Sequence, residues 1–157
     1  MAIILKDEEI LELVQEKKTL PYKLQNIFQM KDKKGHKEQE ITLKRNNGSL
    51  FKIILRQNKI NVLDFSIILG YMASKSNILF RLKRYNGKSH EHTNKIEKNN
   101  FYDFHIHTAT ERYQDAGFDE DGYAEVSNIY SDIHSAAEYF IKECNVSLPE
   151  DPQMRLF

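Results

Sequence analysis

The sequence predicts an α+β fold: one domain over residues 1–157, built as a two-layer, mostly antiparallel five-stranded sheet packed on one face by N- and C-terminal helices. Three observations lead there. Between residues 37 and 113, five segments alternate apolar and polar side chains with the period of a strand. Short turn sequences such as Asn46-Asn47-Gly48 separate them, and strands joined by short turns pair antiparallel. Helical apolar spacing is confined to an N-terminal segment (1–36) and to a C-terminal one that follows an acidic loop (114–157).

Asp7 stands where a helix N-cap belongs, with Glu8 and Glu9 in the first turn and Ile10, Leu13 and Val14 at helical spacing behind it. Pro21 ends that helix. Leu24, Ile27 and Phe28 suit a short second helix, and KDKKGHK (31–37), His36 included, reads as a solvated basic loop. The meander follows. Ile41 and Leu43 share one face of the first strand, Phe51, Ile53 and Leu55 one face of the second, and Leu63, Phe65, Ile67 and Leu69 one face of the third. In the fourth (78–85), Ile78, Phe80 and Leu82 oppose Leu79, Arg81, Lys83 and Tyr85. Asn86-Gly87 is turn chemistry, and a polar loop leads to the fifth strand (101–108). Residues 114–122 (QDAGFDEDG) form an acidic loop that lacks the alternating-carboxylate register of a calcium site. Ser131 or Asp132 caps the last helix, whose apolar stripe is Ile133, Ala136, Ala137, Phe140, Ile141 and Cys144. A loose tail ends with Met154, Leu156 and Phe157.

A hydrophobic content of 40% supplies a core and excludes wholesale disorder. The single cysteine, Cys144, cannot form an internal disulfide, and MAIILKDEE lacks the apolar run of an export signal. Both favour a cytoplasmic protein, and no apolar run is long enough to span a membrane. Net charge is zero, yet residues 1–100 hold 20 Lys/Arg against 11 Asp/Glu, whereas residues 101–157 hold 3 against 12. Either the two parts neutralise each other within one fold, or a basic surface serves an anionic partner.

The chemistry concentrates in residues 84–113. Four of the six histidines fall there as two His-x-His pairs, each followed by a glutamate: His90 and His92 with Glu97, His105 and His107 with Glu111. In FYDFHIH (101–107), alternation puts Asp103, His105 and His107 on one face, expected to be solvent-accessible. Tyr102, Phe104 and Ile106 take the other, expected to be core. Residues 93–103 are expected to fold the first pair back over the second.

Three functions fit this pattern. In one, His90, His92, His105 and His107 hold a divalent transition metal, because imidazoles at i, i+2 on a strand can face one ion. That phrase resembles the first metal motif of cupins, although the preceding glycine and a later third histidine are missing. In another, there is no cofactor and the histidines cleave a phosphodiester by acid–base catalysis. His105 and His107 would then exchange protons beside Glu111, and Arg112, Arg81, Lys83 and Arg84 would stabilise phosphate charge. Tyr85 and Tyr113 would stack on a base. In the third, the chain is a non-catalytic interaction module with solvated histidines.

The run from FKIILR through ILFRLKRYNGKSHEHTN to FYDFHIHTATERY resembles a family of small uncharacterised bacterial proteins with paired H-x-H motifs, over residues 40–145. More loosely it is similar to the TumE-like toxins of toxin–antitoxin systems, in which an arginine strand precedes a histidine-rich loop and strand. The looser resemblance implies a toxin-like or defence-related ribonuclease, with RNA as substrate and a neutralising protein partner.

Overall fold

Tight turns at the expected places string most of the strands into one sheet. The computed structural model describes residues 3–21 and 23–149. Along the chain lie α1 (Asp7–Gln15), β1 (Lys18–Thr19), α2 (Leu24–Ile27), β2 (Lys31–Asp32), β3 (His36–Lys44), β4 (Leu50–Asn58), β5 (Phe65–Met72), β6 (Phe80–Asn86), β7 (His92–Asn94) and β8 (Asn99–Phe101). Then come β9 (His105–Thr108), α3 (Glu111–Asp115), β10 (Ala124–Val126), α4 (Ile133–Glu143) and β11 (Val146–Ser147). The fold is α+β. Its main sheet has seven strands rather than five, in the order β10-β9-β6-β5-β4-β3-β2, every neighbouring pair antiparallel.

Two short strands make the difference. The expected basic loop instead turns at Gly35, whose φ of +84° suits glycine, and sets Lys31 and Asp32 opposite Glu38 and Lys37. After the acidic loop, residues 124–126 return to pair with β9. Neither segment is long enough to show a period. The tail residues Met154, Leu156 and Phe157 lie outside the described residues. No helix among the described residues is long and apolar enough to cross a membrane.

Residues opposite one another in a ladder share a face, so the core reads off the register. One row runs Leu55, Ile67, Tyr85, Ile106, and the next runs Ile41, Ile53, Leu69. The α4 helix meets this face, where Tyr139 and Phe140 pack on Tyr85. Just before α4, Tyr130 packs on Phe65 and Phe104, and its hydroxyl lies 2.7 and 2.8 Å from the carbonyls of Asn86 and His105. That hydroxyl ties β6 to β9 beneath the histidines. Phe104 and Ile106 are half-buried and Tyr102 is exposed, so the expected apolar set of this segment is only partly core.

An irregularity in β6 decides what the opposite face carries. The β5–β6 register slips between Leu69 and Gly70: Gly70 lies opposite Arg81 while Leu69 lies opposite Lys83. Leu82 is the extra residue, and alternation changes phase there. Strict alternation groups Arg81 with Lys83 and Tyr85. The bulge separates them. Lys83 and Tyr85 turn toward α4 and bond Glu143, whereas Arg81, Arg84 and Asn86 look the other way.

The N-terminal segment is tied in by a buried cation. Lys18, 2% exposed, sets Nζ 2.7 to 3.0 Å from the carbonyls of Leu13, Val14, Glu16 and Cys144, which share its three N–H groups. It therefore closes the C-terminal ends of α1 and α4 together, where the helix dipoles are negative. Burial lowers its pKa to about 8, which still leaves it charged at neutral pH.

Candidate three-histidine site

Alternation along β9 puts His105 and His107 on the face away from α4 and Ile106 toward it. His107 lies between Arg84 on β6 and Ala124 on β10, and His105 between Asn86 and Val126. The shared face is as the sequence predicts, but its accessibility is not: His105 is 0% exposed and His107 2%. Two elements cover them. The strand β10 pairs alongside, and the β7–β8 hairpin folds over the top. Asp103 does not join the group. It is exposed and offers only its backbone carbonyl.

The hairpin brings the first histidine pair onto the second, as expected. The His92 ring stacks 5.4 Å from His105 and stands edge-on 4.7 Å from His107, and His90 lies 6.0 Å from His105. Asn94 fastens the hairpin to the sheet edge. Its side-chain amide donates to the Ala124 carbonyl and accepts from the Ala124 N–H, both at 2.9 Å, replacing the strand that β10 lacks on that side. A second latch sits at the hairpin tip. The Tyr113 hydroxyl donates to Glu97 at 2.6 Å, and Arg112 forms an ion pair with the same carboxylate.

One nitrogen from each of His92, His105 and His107 lies within 4.8 Å of the other two. The tautomers of the β9 pair follow from their partners. A carbonyl only accepts, so Nδ1–H of His105 donates to Asp103 O and Nδ1–H of His107 to Asp121 O, each at 2.7 Å. Both Nε2 atoms are then bare lone pairs. Their contacts are long: Asn86 Nδ2 at 3.4 and 3.5 Å, and Arg84 Nη2 at 3.4 Å from His107. Burial, reinforced at His107 by the neighbouring guanidinium, lowers the pKa of His105 to about 4 and of His107 to about 2. Both are neutral at physiological pH.

Beside them lies a charge cluster built around one buried carboxylate. Asp121, 1% exposed, sits 3.3 Å from Arg81 and 3.2 Å from Arg84, and Arg81 also reaches Glu120 at 3.5 Å. Burial raises the Asp121 pKa while the two guanidinium groups oppose that shift, and burial lowers that of Arg84. The Arg84–Asp121 pair is poorly aligned, so Arg84 Nε and Asp121 Oδ2 are buried without a hydrogen-bond partner among the described residues. A cleft of about 340 Å³ opens here, lined among others by Arg84, His90, His92, Lys95, His107 and Tyr113.

The site therefore gathers His92, His105, His107 and Arg84, with Arg81 behind them and His90 at the exposed rim. Four other expected members are engaged elsewhere. Lys83 and Tyr85 bond Glu143 on the α4 face. Glu111 exchanges hydrogen bonds with Asp7, each carboxylate accepting the other's backbone N–H at 2.8 or 2.9 Å, which also places Asp7 inside the first turn of α1 and Lys6 at its N-cap. Arg112 holds Glu97. Tyr113 lines the cleft but is fully buried in the latch and offers no free stacking face. Neither glutamate of the His-x-His…Glu phrases joins the histidines, because each carboxylate is bonded elsewhere. Asn86, Asn94 and Asp121 are members that sequence reasoning passed over. Asn86 looks like a turn residue, Asn94 like loop, and Asp121 like one acid among several. The role of Asn86 depends on the bulge in β6, and those of Asn94 and Asp121 on β10, whose pairing has no sequence signal.

No protein-family model, curated protein or solved structure matches the chain.

Proposed function

We propose that this chain is a metal protein with a three-histidine centre formed by His92, His105 and His107. One observation carries the reading: three imidazole nitrogens converge within 4.8 Å while two of the rings donate their Nδ1–H to backbone carbonyls. A carbonyl behind the imidazole fixes the tautomer and ring orientation and makes Nε2 a better ligand. Ligand nitrogens on one tetrahedral zinc lie about 3.3 Å apart, given bonds of about 2.0–2.1 Å. A shift of about 1.5 Å at most between any two of the nitrogens closes the set. Three neutral imidazoles suit zinc or a neighbouring first-row divalent ion, and they leave coordination positions for water or substrate, as catalytic centres do.

A second reading is the metal-free ribonuclease, supported by the guanidinium of Arg84 only 3.4 Å from His107. It needs one imidazole to be protonated near neutral pH. The low pKa values of His105 and His107 weigh against that role for either.

Elemental analysis and equilibrium dialysis of the purified protein against zinc decide between them. The metal reading expects one ion per chain and a loss of affinity exceeding about 100-fold in His107→Ala, beyond the effect of an outer-shell change. Protein that takes up no metal but cleaves single-stranded RNA in a His107-dependent way would support the second reading.

A further inference from the structure

The charges beside the three histidines balance only while no metal is bound, since Arg81 and Arg84 face Asp121 and Glu120. Because the three imidazoles are neutral ligands, a divalent ion there keeps its full charge, and Arg84 stands beside His107 at 3.4 Å. Arg81 is tied to the same carboxylate as Arg84 and also to Glu120, and Asp119 acts on Arg84 from the cleft wall. A divalent ion and two guanidinium groups carry four positive charges against the two negative charges of Asp121 and Glu120. Lys95 and Asp119 line the same cleft and offset each other. Two positive charges are thus in excess around His105, His107 and Asp121, which are buried, with Arg81 and Arg84 half-buried beside them. Such an excess is unfavourable unless an anion enters with the ion.

The donors are placed to receive one. Arg84 is held from behind by Asp121, and its Nη2 lies 3.4 Å from His107 Nε2, beside the nitrogens that would hold the ion. Asn86 Nδ2 offers a second N–H at 3.4 and 3.5 Å from the two Nε2 atoms. Guanidinium and amide donors beside a Lewis acid match the two or three oxygens of an oxyanion. The cleft of about 340 Å³ accommodates a small molecule around that group.

Resting on the three-histidine reading, we infer that the site takes an oxyanion, the phosphoryl or carboxylate group of a small-molecule ligand, held between the bound metal and the Arg84 guanidinium. Arg84 is then a binding residue for the ligand and not a partner of Asp121 alone.

The test uses the full chain loaded with cobalt(II), whose visible spectrum reports its coordination. Inorganic phosphate and acetate are titrated separately. The inference expects a saturable spectral change with at least one of them, and the tighter of the two identifies the group. Arg84→Gln should weaken that anion by about tenfold or more without weakening cobalt uptake, and Arg84→Lys should fall between. A cobalt-loaded chain whose spectrum ignores both anions overturns the inference and leaves the metal reading standing. So does anion affinity that is unchanged in both Arg84 variants. If Arg84→Gln fails to fold, Arg84→Lys alone decides by the same criterion. A chain that takes up no cobalt overturns both readings together.

Discussion

The two faces of β6 treat charge in opposite ways. Toward α4, Lys83 donates to Glu143 at 2.6 Å, Tyr85 donates to the same carboxylate, and Tyr139 donates to its other oxygen at 2.6 Å. Burial opposes ionisation of Glu143, but those three donors hold its pKa below the ordinary value. Cys144, its thiol pKa raised by burial, fills the space beside Tyr85. That cluster is closed: donors and acceptors match. Toward the hairpin, the same strand sends Arg84 and Asn86 to a cluster where acceptors converge and contacts stay long. A polar group that serves the fold is saturated by its neighbours, whereas one that serves a ligand keeps bonding capacity in reserve.

Breaking the closed face should cost stability and spare the site. Phe140→Ala removes a 2%-exposed ring packed on Tyr85, and we expect a loss of about 3–5 kcal/mol in denaturant unfolding. Metal stoichiometry of the folded protein should stay the same. A variant that lost metal in proportion would show that the two faces are not independent.

Acid should attack the open face first. In the native chain the pKa values of His105 and His107 are about 4 and about 2, below the value near 6.5 expected of an unfolded histidine. The unfolded state therefore binds protons first as pH falls. Stability of the metal-free protein is complete above about 6.5 and declines between about 6.5 and 4, by on the order of 3 kcal/mol from His105 alone. Urea midpoints measured across that range check it, and His105→Gln should flatten the slope.

Removing the carboxylate at the centre of the closed cluster should matter less than removing the ring. Glu143→Ala leaves Lys83 without its partner, and we expect about 1–3 kcal/mol of destabilisation with cobalt affinity unchanged.

The smallest effect is expected at the hairpin tip. Glu97→Gln releases the exposed Arg112 and weakens the bond from the buried Tyr113, whose hydroxyl can still donate to the amide oxygen. The melting temperature should barely move, while amide exchange at residues 92–94 should quicken. Unchanged exchange would mean that Asn94 alone holds the hairpin in place.

Much of this fold was legible because local rules sufficed. The long strands, the turn at Asn46-Asn47-Gly48, the C-terminal helix with a cap at Ser131 or Asp132 (the structure has Asp132) and the common face of His105 and His107 follow from period and turn chemistry. The return of His92 over that face was also legible, since a polar connection between neighbouring strands leaves few places to go.

What the tertiary structure decided concerns pairings and phase. The three-residue β10 carries no period, yet it buries His107 and delivers the Asp121 carbonyl to it. One extra residue at Leu82 turns Lys83 away from the histidines and Arg84 toward them, because in a strand a single inserted residue exchanges the two faces for everything beyond it. The sequence by itself determined which side chains could meet on β9. Which cation would stand beside them was settled by a slip in register that no local pattern records.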